Sequence, residues 1–157
     1  MAFGLDQIVQ DKNLALIFRK FLYERYNNEN FSFWLEAENF KYLTSSSQTK
    51  DRCKEIYEKY FSASSKYELN IDSFQRKELD EKIKAGTINN DIFLAIQNSI
   101  RKLLEMDAIP LFTKSEQYKK YNDTKTIDID LSERDRSVTI VMMEEFFKNR
   151  LKNPKKE

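Results

Sequence analysis

The sequence contains no histidine and only one cysteine, Cys53. Without histidine there is no Ser-His-Asp triad, no imidazole proton shuttle and no histidine metal site. A single cysteine excludes an internal disulfide and a thiolate metal cluster. Cys53 shares an apolar helical stripe with Ile56 and Tyr60, which favours a buried, inert thiol over a nucleophile. We therefore expect neither a metal nor a cofactor.

Glycine and proline are also scarce, with two of each in 157 residues. The two glycines, Gly4 and Gly86, stand far apart, so the sequence has no glycine-rich phosphate-binding loop. β-Hairpin turns usually need glycine, because glycine adopts positive φ angles most easily. This scarcity, together with abundant Lys, Glu and Leu, predicts a helical protein.

Charge and hydropathy exclude two further classes of protein. No apolar run approaches the ~20 residues that span a membrane, and Gly4, Asp6 and Gln7 interrupt the start of the chain in a way unlike a secretory signal. The 27 basic and 26 acidic residues give a formal net charge of +1. A nucleic-acid-binding protein normally has a concentrated basic excess. We expect a cytoplasmic protein with no nucleic-acid partner.

Pairs of acidic residues are the remaining candidates for catalysis, namely Glu36 with Glu38 and Glu144 with Glu145. All four lie on predicted helices with lysines nearby, where carboxylates are usually solvated surface charges. We expect no active site, so the function should be one of binding.

Apolar residues recur at helical spacing along most of the chain. The stripes contain Leu5, Ile8 and Val9; Leu14, Ile17, Phe18, Phe21 and Leu22; Phe33, Trp34, Ala37 and Phe40; Cys53, Ile56 and Tyr60; Leu79 and Ile83; Phe93, Ile96, Ile100 and Leu104; Phe112 and Tyr118; and Val138, Met142 and Phe146. Residues 44–48, 62–69 and 122–131 are predicted loops. The predicted N-caps are Asn13, Asn27 or Asn28, Asp72, Asn89 or Asn90, Asp107, and Ser132.

The segment 27–41 (NNENFSFWLEAENFK) is the most informative part of the sequence. It holds the only tryptophan, Trp34, within an aromatic stripe that predicts a core anchor. In front of this stripe, Glu29 and Asn30 form a polar tip at the start of the helix, where an acidic residue suits the helix dipole. Taken alone, the segment is explained by capping.

A wider pattern gives this segment a second interpretation. The string 29–35 (ENFSFWL), continuing to Lys41, resembles the signature helix of the regulator of G-protein signalling (RGS) domain. Residues 56–61 (IYEKYF) look like that family's next helix, and residues 68–72 (ELNID) look like its following loop and cap. A late helical pair is similar too, with Phe93, Ile96, Leu103, Leu104, Glu105, Asp107 and Phe112. The pieces keep the family's order from about Leu5 to Tyr121.

The resemblance implies an all-α fold of about nine helices, with an antiparallel four-helix bundle and a lobe of terminal helices. The bundle helices would begin near Asn30, Lys50, Asp72 and Asn90. The RGS domain would occupy residues 1–125. Residues 126–157 would form a C-terminal extension with one amphipathic helix and a basic tail.

The resemblance also implies that the protein activates GTP hydrolysis by the α subunit (Gα) of a heterotrimeric G protein, without an active site of its own. Family members bind the switch segments of Gα in their transition-state shape, so that binding free energy lowers the barrier. Glu29 and Asn30 would contact the switch segments, and Asn70 would reach toward the glutamine that orients the attacking water. Leu103 would pack at the interface edge, while Asp107 would accept hydrogen bonds from a switch backbone.

The sequence departs from the family pattern just after Asp107. Many active members have a serine at the next position and an arginine three positions later, where this chain has Ala108 and Leu111. The arginine helps to hold the aspartate, by a charge-assisted hydrogen bond worth roughly 1.5–3 kcal/mol. We also expect Pro110, in the same turn, to shift the backbone. We hypothesise weaker or more selective activation. The alternative is a scaffold of this fold that binds Gα or another signalling protein without activating it.

The C-terminal tail is basic, with Lys148, Arg150, Lys152, Lys155 and Lys156. Peripheral contact with acidic lipid at the inner face of the plasma membrane is one interpretation. A solvated helix end that leads to another domain is the favoured one. We expect a monomer whose partner is Gα in its GTP-bound or transition-state form, and the sequence does not identify the Gα subtype.

Overall fold

The computed structural model describes residues 3–25, 28–63, 65–125 and 140–152 of the chain. Within these ranges the secondary structure is helical and contains no strand, which confirms the predicted all-α fold. The helices are α1 (Leu5–Gln10), α2 (Lys12–Glu24), α3 (Glu29–Phe40), α4 (Ser46–Tyr60), α5 (Ser73–Lys84), α6 (Leu94–Leu103), α7 (Ile109–Thr113), α8 (Glu116–Thr124) and α9 (Ile140–Lys152), with a π-helical turn at Leu104–Ala108 between α6 and α7. Among the described helices, none is both long and apolar enough to cross a bilayer.

Helices α3, α4, α5 and α6 form the predicted antiparallel four-helix bundle. Hydrogen bonds connect neighbouring helices, linking Ser32 to Tyr60, Gln75 to Ser99, and Asn90 to the carbonyl of Lys41. A further bond from Tyr57 to Asp80, of 2.7 Å, joins α4 to α5. The Ser32–Tyr60 and Asn90–Lys41 contacts each join the start of one helix to the end of its neighbour, as antiparallel packing requires.

Phe33 on α3 lies at the centre of the bundle core. Its ring meets Tyr60, Phe61 and Phe93 edge to face, with centroids 5.4, 5.6 and 5.8 Å apart. Each such pair adds about 0.5–1.5 kcal/mol beyond the area that it buries. The aromatic stripe of α3 therefore joins three segments of the chain to one another.

Helices α1, α2, α7 and α8 form a second lobe beside the bundle. Phe18 of α2 connects the two parts, because its ring packs on Phe31 at the start of α3 and on Phe112 of α7, at 5.1 and 5.0 Å. Phe112 in turn contacts Tyr118 of α8 at 5.4 Å. The beginning of α3 is thus held by the lobe as well as by the bundle.

The last helix, α9, packs on α3. Phe146 is buried and its ring lies 5.7 Å from that of Trp34, which is itself 2% exposed, so Trp34 is the core residue that the sequence predicts. Met143 is buried in the same core, and Asn149 donates to the side-chain oxygen of Asn39 at 3.3 Å. The predicted cap at Ser132 and the stripe residue Val138 lie outside the described residues.

Two predicted helix starts were wrong because a cap earlier in the chain begins each helix. Helix α2 is capped by Asp11, whose carboxylate accepts from the backbone N–H of Asn13 at 3.1 Å, so Asn13 is inside the helix rather than its cap. Residues 44–48 are not all loop, since Ser45 caps α4 by accepting from the N–H of Gln48. Helix α4 therefore starts four residues before Lys50.

Three further predicted caps make no side-chain capping bond to a helix. Helix α6 begins at Leu94, after turns at residues 90–93, so neither Asn89 nor Asn90 caps it. Asp107 lies inside the π-helical turn, where the chain passes from one helix to the next without a break that needs a cap. Asn28 occupies the N-cap position of α3, as one of the two predicted alternatives, but makes no side-chain capping bond.

The predicted boundaries of α5 are confirmed. Asp72 accepts from the backbone N–H of Gln75 at 2.7 Å, which satisfies one of the free donors at the helix start. Gly86 follows the helix with φ of +77°, the left-handed conformation that a glycine at this position adopts without a steric cost.

Candidate functional site

The polar tip of α3 and the loop before α5 lie at the same end of the bundle. Ser32 in the first turn of α3 hydrogen-bonds to Tyr60 in the last turn of α4. The carbonyl of Tyr60 accepts from the N–H of Leu69 at 2.9 Å, which holds the loop against the same helix end. Asn30 is two residues before Ser32, and Asn70 directly follows Leu69. Both asparagines therefore lie at this end of the bundle.

The carboxyl end of α6 reaches this end of the bundle too. Phe93, before α6, packs on Phe40 in the last turn of α3 at 5.2 Å, and Gln97 donates to the carbonyl of Trp34, in the middle of α3, at 3.2 Å. The two helices therefore run in opposite directions, and Leu103 lies toward the beginning of α3. The π-helical turn follows α6 directly and carries Asp107, the fifth residue of the predicted site.

The polar members of this group are available to a partner. Glu29 and Asn30 are half-buried, whereas Asn70 and Asp107 are exposed. Within the described part of the chain, none of these four side chains makes a hydrogen bond or an ion pair. Leu103 is 47% exposed and adds an apolar surface. Short polar side chains such as those of Asn30, Asn70 and Asp107 lose little rotamer freedom when they bind.

A buried polar cluster fixes the base of the polar tip. Ser32 and Tyr60 are both fully buried, and the Tyr60 hydroxyl donates to the carboxylate of Glu36. Lys59 lies 2.8 Å from the same carboxylate. Burial, and then the neighbouring Glu36 carboxylate, raises the pKa of Tyr60 well above its ordinary value, so the phenol remains a donor at neutral pH. Asn30 therefore projects from a helix end that cannot easily shift against α4.

Sequence reasoning missed this cluster. The apolar stripe of α4 predicts Tyr60 only as a core residue, and Ser32 is not among the predicted site residues. The available signal was that Ser32 lies between Phe31 and Phe33, in the middle of an aromatic run with no exposed face for a serine. A buried hydroxyl requires a hydrogen-bond partner, and a tyrosine on the neighbouring helix can supply one.

Asp107 stands on a widened turn of helix. The N–H of Ile109 bonds to the carbonyl of Leu104, five residues back, and such π-helical turns occur frequently at functional sites. Leu104 and Ala108 face the core, while Asp107 and Met106 face outward, Met106 with 79% of its surface exposed. Leu111, which stands where the family arginine is expected, is 40% exposed. The Asp107 carboxylate thus has no cation beside it in the described structure.

Cys53 lies away from these residues and is chemically quiet. It is 1% exposed, and burial raises the pKa of its thiol to about 11. The thiolate, which is the reactive form, is therefore scarce at neutral pH. The predicted burial of Cys53 is confirmed.

Comparison with known proteins gives a family match over most of the chain. The sequence profile of the family described as "Regulator of G protein signaling domain" matches residues 4–121. The chain is 33% identical over 117 residues to Regulator of G-protein signaling 5 of Mus musculus, covering 74% of this chain and 64% of that protein. It is 30% identical over 130 residues to Regulator of G-protein signaling 10 of Homo sapiens, covering 83% and 70%. For Regulator of G-protein signaling 16 of Mus musculus the identity is 32% over 116 residues, covering 74% and 57%. The chain thus spans between a half and three quarters of these relatives.

Proposed function

The chain belongs to the regulator of G protein signaling domain family, and we propose that it accelerates GTP hydrolysis by a Gα subunit. The observation that carries the proposal is the group of polar side chains at one end of the bundle. Glu29, Asn30, Asn70 and Asp107 come from three separate segments and make no hydrogen bond or ion pair within the described structure. A rigid surface of this kind suits a protein that acts by binding.

The proposed mechanism assigns all bond making and breaking to Gα. Glu29, Asn30 and Asp107 would hold the switch segments, and Asn70 would reach the glutamine that orients the attacking water. Only interactions that are stronger in the transition state than in the ground state accelerate the reaction. Each ~1.4 kcal/mol of such preference gives about a tenfold higher rate. The buried contacts beneath Asn30 support this mechanism, because a surface that is already ordered loses less entropy on binding.

The proposed partner is Gα in its GTP-bound or transition-state form, met by a monomer in the cytoplasm. Contact of the basic tail with acidic lipid at the inner face of the plasma membrane stays a prediction. Lys148 is exposed on α9, while Lys155 and Lys156 lie outside the described residues.

The second candidate is a scaffold that binds Gα without accelerating hydrolysis. The observation that favours it is the environment of Asp107, which is exposed and has no ion pair in the described structure. A carboxylate with no cation to orient it has a less defined position toward a partner. The expected result is a lower rate of GTPase activation, or activation of fewer Gα subunits. The two candidates differ in rate and share the same binding surface.

Single-turnover GTP hydrolysis by a panel of Gα subunits tests the proposal, with wild type and Asn70→Ala. We expect wild type to accelerate at least one α subunit, and Asn70→Ala to lose about tenfold or more of that acceleration. Asn98→Ala is the matched control, because Asn98 is an exposed asparagine within α6 that is not part of the group.

Three results would count against parts of the proposal. No acceleration of any α subunit refutes activation, and tight binding to the transition-state form without acceleration favours the scaffold. Acceleration that Asn70→Ala leaves unchanged refutes the role given to Asn70.

A further inference from the structure

We propose that Glu105 is a positioning residue, which fastens the π-helical turn to the start of α1 and thereby holds Asp107 in place for Gα. This inference rests on the proposed function and deepens it. Helix α1 lies outside the predicted binding group, and the inference assigns it an indirect role in the activation of Gα.

The contact that carries the inference joins residues 100 positions apart. Glu105 stands two residues before Asp107, and its Oε2 atom accepts from the backbone N–H of Leu5 at 3.0 Å. Leu5 is the first residue of α1, where backbone donors have no partner within the helix and the helix dipole is positive. A carboxylate is therefore the group that this helix start accommodates best, and Glu105 supplies it from a distant segment.

Arg101 adds a second link between the same elements. Its guanidinium lies 2.9 Å from Asp6 on α1 and 3.6 Å from the same Oε2 atom of Glu105. An isolated exposed ion pair contributes little. Here Arg101 contacts both Asp6 and Glu105, and Glu105 also accepts from the N–H of Leu5. The geometry of each contact therefore restricts the others. The last turn of α6, the π-helical turn and the first turn of α1 are thereby connected.

The anchor on the α1 side is itself well fixed. Leu5, Ile8 and Val9 are at most 1% exposed, so α1 is part of the core. Ahead of it, the Phe3 ring meets that of Tyr118 on α8 edge to face at 5.4 Å. The π-helical turn is therefore held on its inner side by buried apolar residues and on its outer side by a hydrogen bond to a rigid helix.

The Glu105 carboxylate also lies close to Gly4, the residue before α1. An ideal Cβ placed on Gly4 would lie 2.5 Å from Oε2 of Glu105, well inside van der Waals distance. The φ of Gly4 is −136°, which any residue adopts, so the conflict is with the Glu105 side chain and not with the backbone. Because Oε2 is the end of a flexible side chain, Gly4→Ala should displace the carboxylate while leaving the fold intact.

The test compares Glu105→Ala, Glu105→Gln and Gly4→Ala with wild type in multiple-turnover hydrolysis of GTP on Gα. We expect Glu105→Ala to raise KM for Gα about tenfold and to leave kcat within about twofold, as loss of one charge-assisted hydrogen bond that orients the binding group would do. Glu105→Gln keeps an acceptor oxygen for the Leu5 N–H and should recover most of the loss. Gly4→Ala should raise KM although it removes no charge.

A second measurement needs no partner. Amide hydrogen exchange at residues 104–109 should become about tenfold faster in Glu105→Ala and Gly4→Ala, with exchange in α3 and α4 unchanged. Glu81→Ala is the matched control for both measurements, because Glu81 is an exposed glutamate on α5 whose side chain makes no hydrogen bond or ion pair in the described structure. It should alter neither KM nor exchange.

The outcomes separate this inference from the proposed function. If wild type accelerates hydrolysis and the Glu105 and Gly4 variants match it, the inference is wrong and the proposed function stands. A fall in kcat with unchanged KM indicates loss of folded protein and also overturns the inference. If wild type accelerates no Gα, the proposed function fails, and the exchange data alone decide whether Glu105 fastens the turn, with unchanged exchange overturning it.

Discussion

At the scale of single residues, we propose that the environment of Asp107 limits how strongly this chain activates Gα. Its carboxylate faces solvent on a π-helical turn, and the position four residues later holds Leu111, which is 40% exposed. Residues four apart along a helix lie on the same face and can contact one another. A cation at position 111 could therefore reach Asp107, whereas the native leucine cannot orient it.

We expect Leu111→Arg to raise the single-turnover rate constant on a responsive Gα about tenfold at subsaturating protein. The physical reason is the charge-assisted hydrogen bond that the arginine would donate to Asp107, worth roughly 1.5 kcal/mol or more. Leu111→Gln, of similar length but uncharged, is the control and should gain much less. An unchanged rate for Leu111→Arg would contradict the idea that a missing cation limits activity.

The residue scale also shows where prediction from sequence stops. The five binding candidates came from resemblance to a family, and their placement at one end of the bundle follows from the observed fold. The contacts of Ser32 and Glu105 were not predicted because their partners, Tyr60 and Leu5, are 28 and 100 residues away. Local patterns contain no information on which distant group satisfies a polar side chain.

At the scale of elements, helix positions followed from the sequence better than helix starts did. Apolar stripes identified α2, α3 and α4 because burial of one face determines where a helix packs. The starts depend on which of several neighbouring polar residues caps the first turn. Asp11 caps α2 in place of Asn13. Ser45 caps α4, so that this helix begins within a serine-rich stretch that has the composition of a loop. These alternatives differ by about 1 kcal/mol or less, so composition alone does not separate them.

The end of α5 offers a clean test at this scale. Gly86 has a φ of +77°, and a Cβ added there would meet nothing within 4 Å, so the cost of Gly86→Ala should come from the backbone alone. We expect the free energy of unfolding in urea to fall by about 1 kcal/mol. Gly86→Asn should lose less, because asparagine tolerates the left-handed region. Equal stability of the glycine and alanine proteins would show that this conformation is not required.

At the scale of the whole molecule, α9 packs on α3, and the sequence does not predict this contact. The amphipathic stripe predicted a helix, and the division at residue 125 placed that helix in an extension beyond the domain. Phe146 and Met143 are each 1% exposed, and the Phe146 ring lies 5.7 Å from that of Trp34. Since α3 also carries the polar tip, α9 and the candidate binding surface are attached to the same helix.

Phe146→Ala tests whether α9 is an integral part of the folded unit. Removal of a fully buried phenylalanine typically costs about 3–5 kcal/mol, and the loss should appear in the global free energy of unfolding if α9 and the bundle unfold together. Trp34 is the only tryptophan, so its fluorescence reports directly on this contact, while far-ultraviolet circular dichroism reports on all the helices.

We expect the two signals of Phe146→Ala to change together in urea, at a lower midpoint than in wild type, because a single cooperative unit gives coincident transitions. Phe74→Ala is the control, since Phe74 is 72% exposed and should alter stability by no more than about 0.5 kcal/mol. If Trp34 fluorescence shifts to longer wavelength before the helical signal is lost, α9 detaches by itself. In that case the bundle does not depend on α9, and α9 becomes a helix whose release could change the surface around α3 without unfolding the domain.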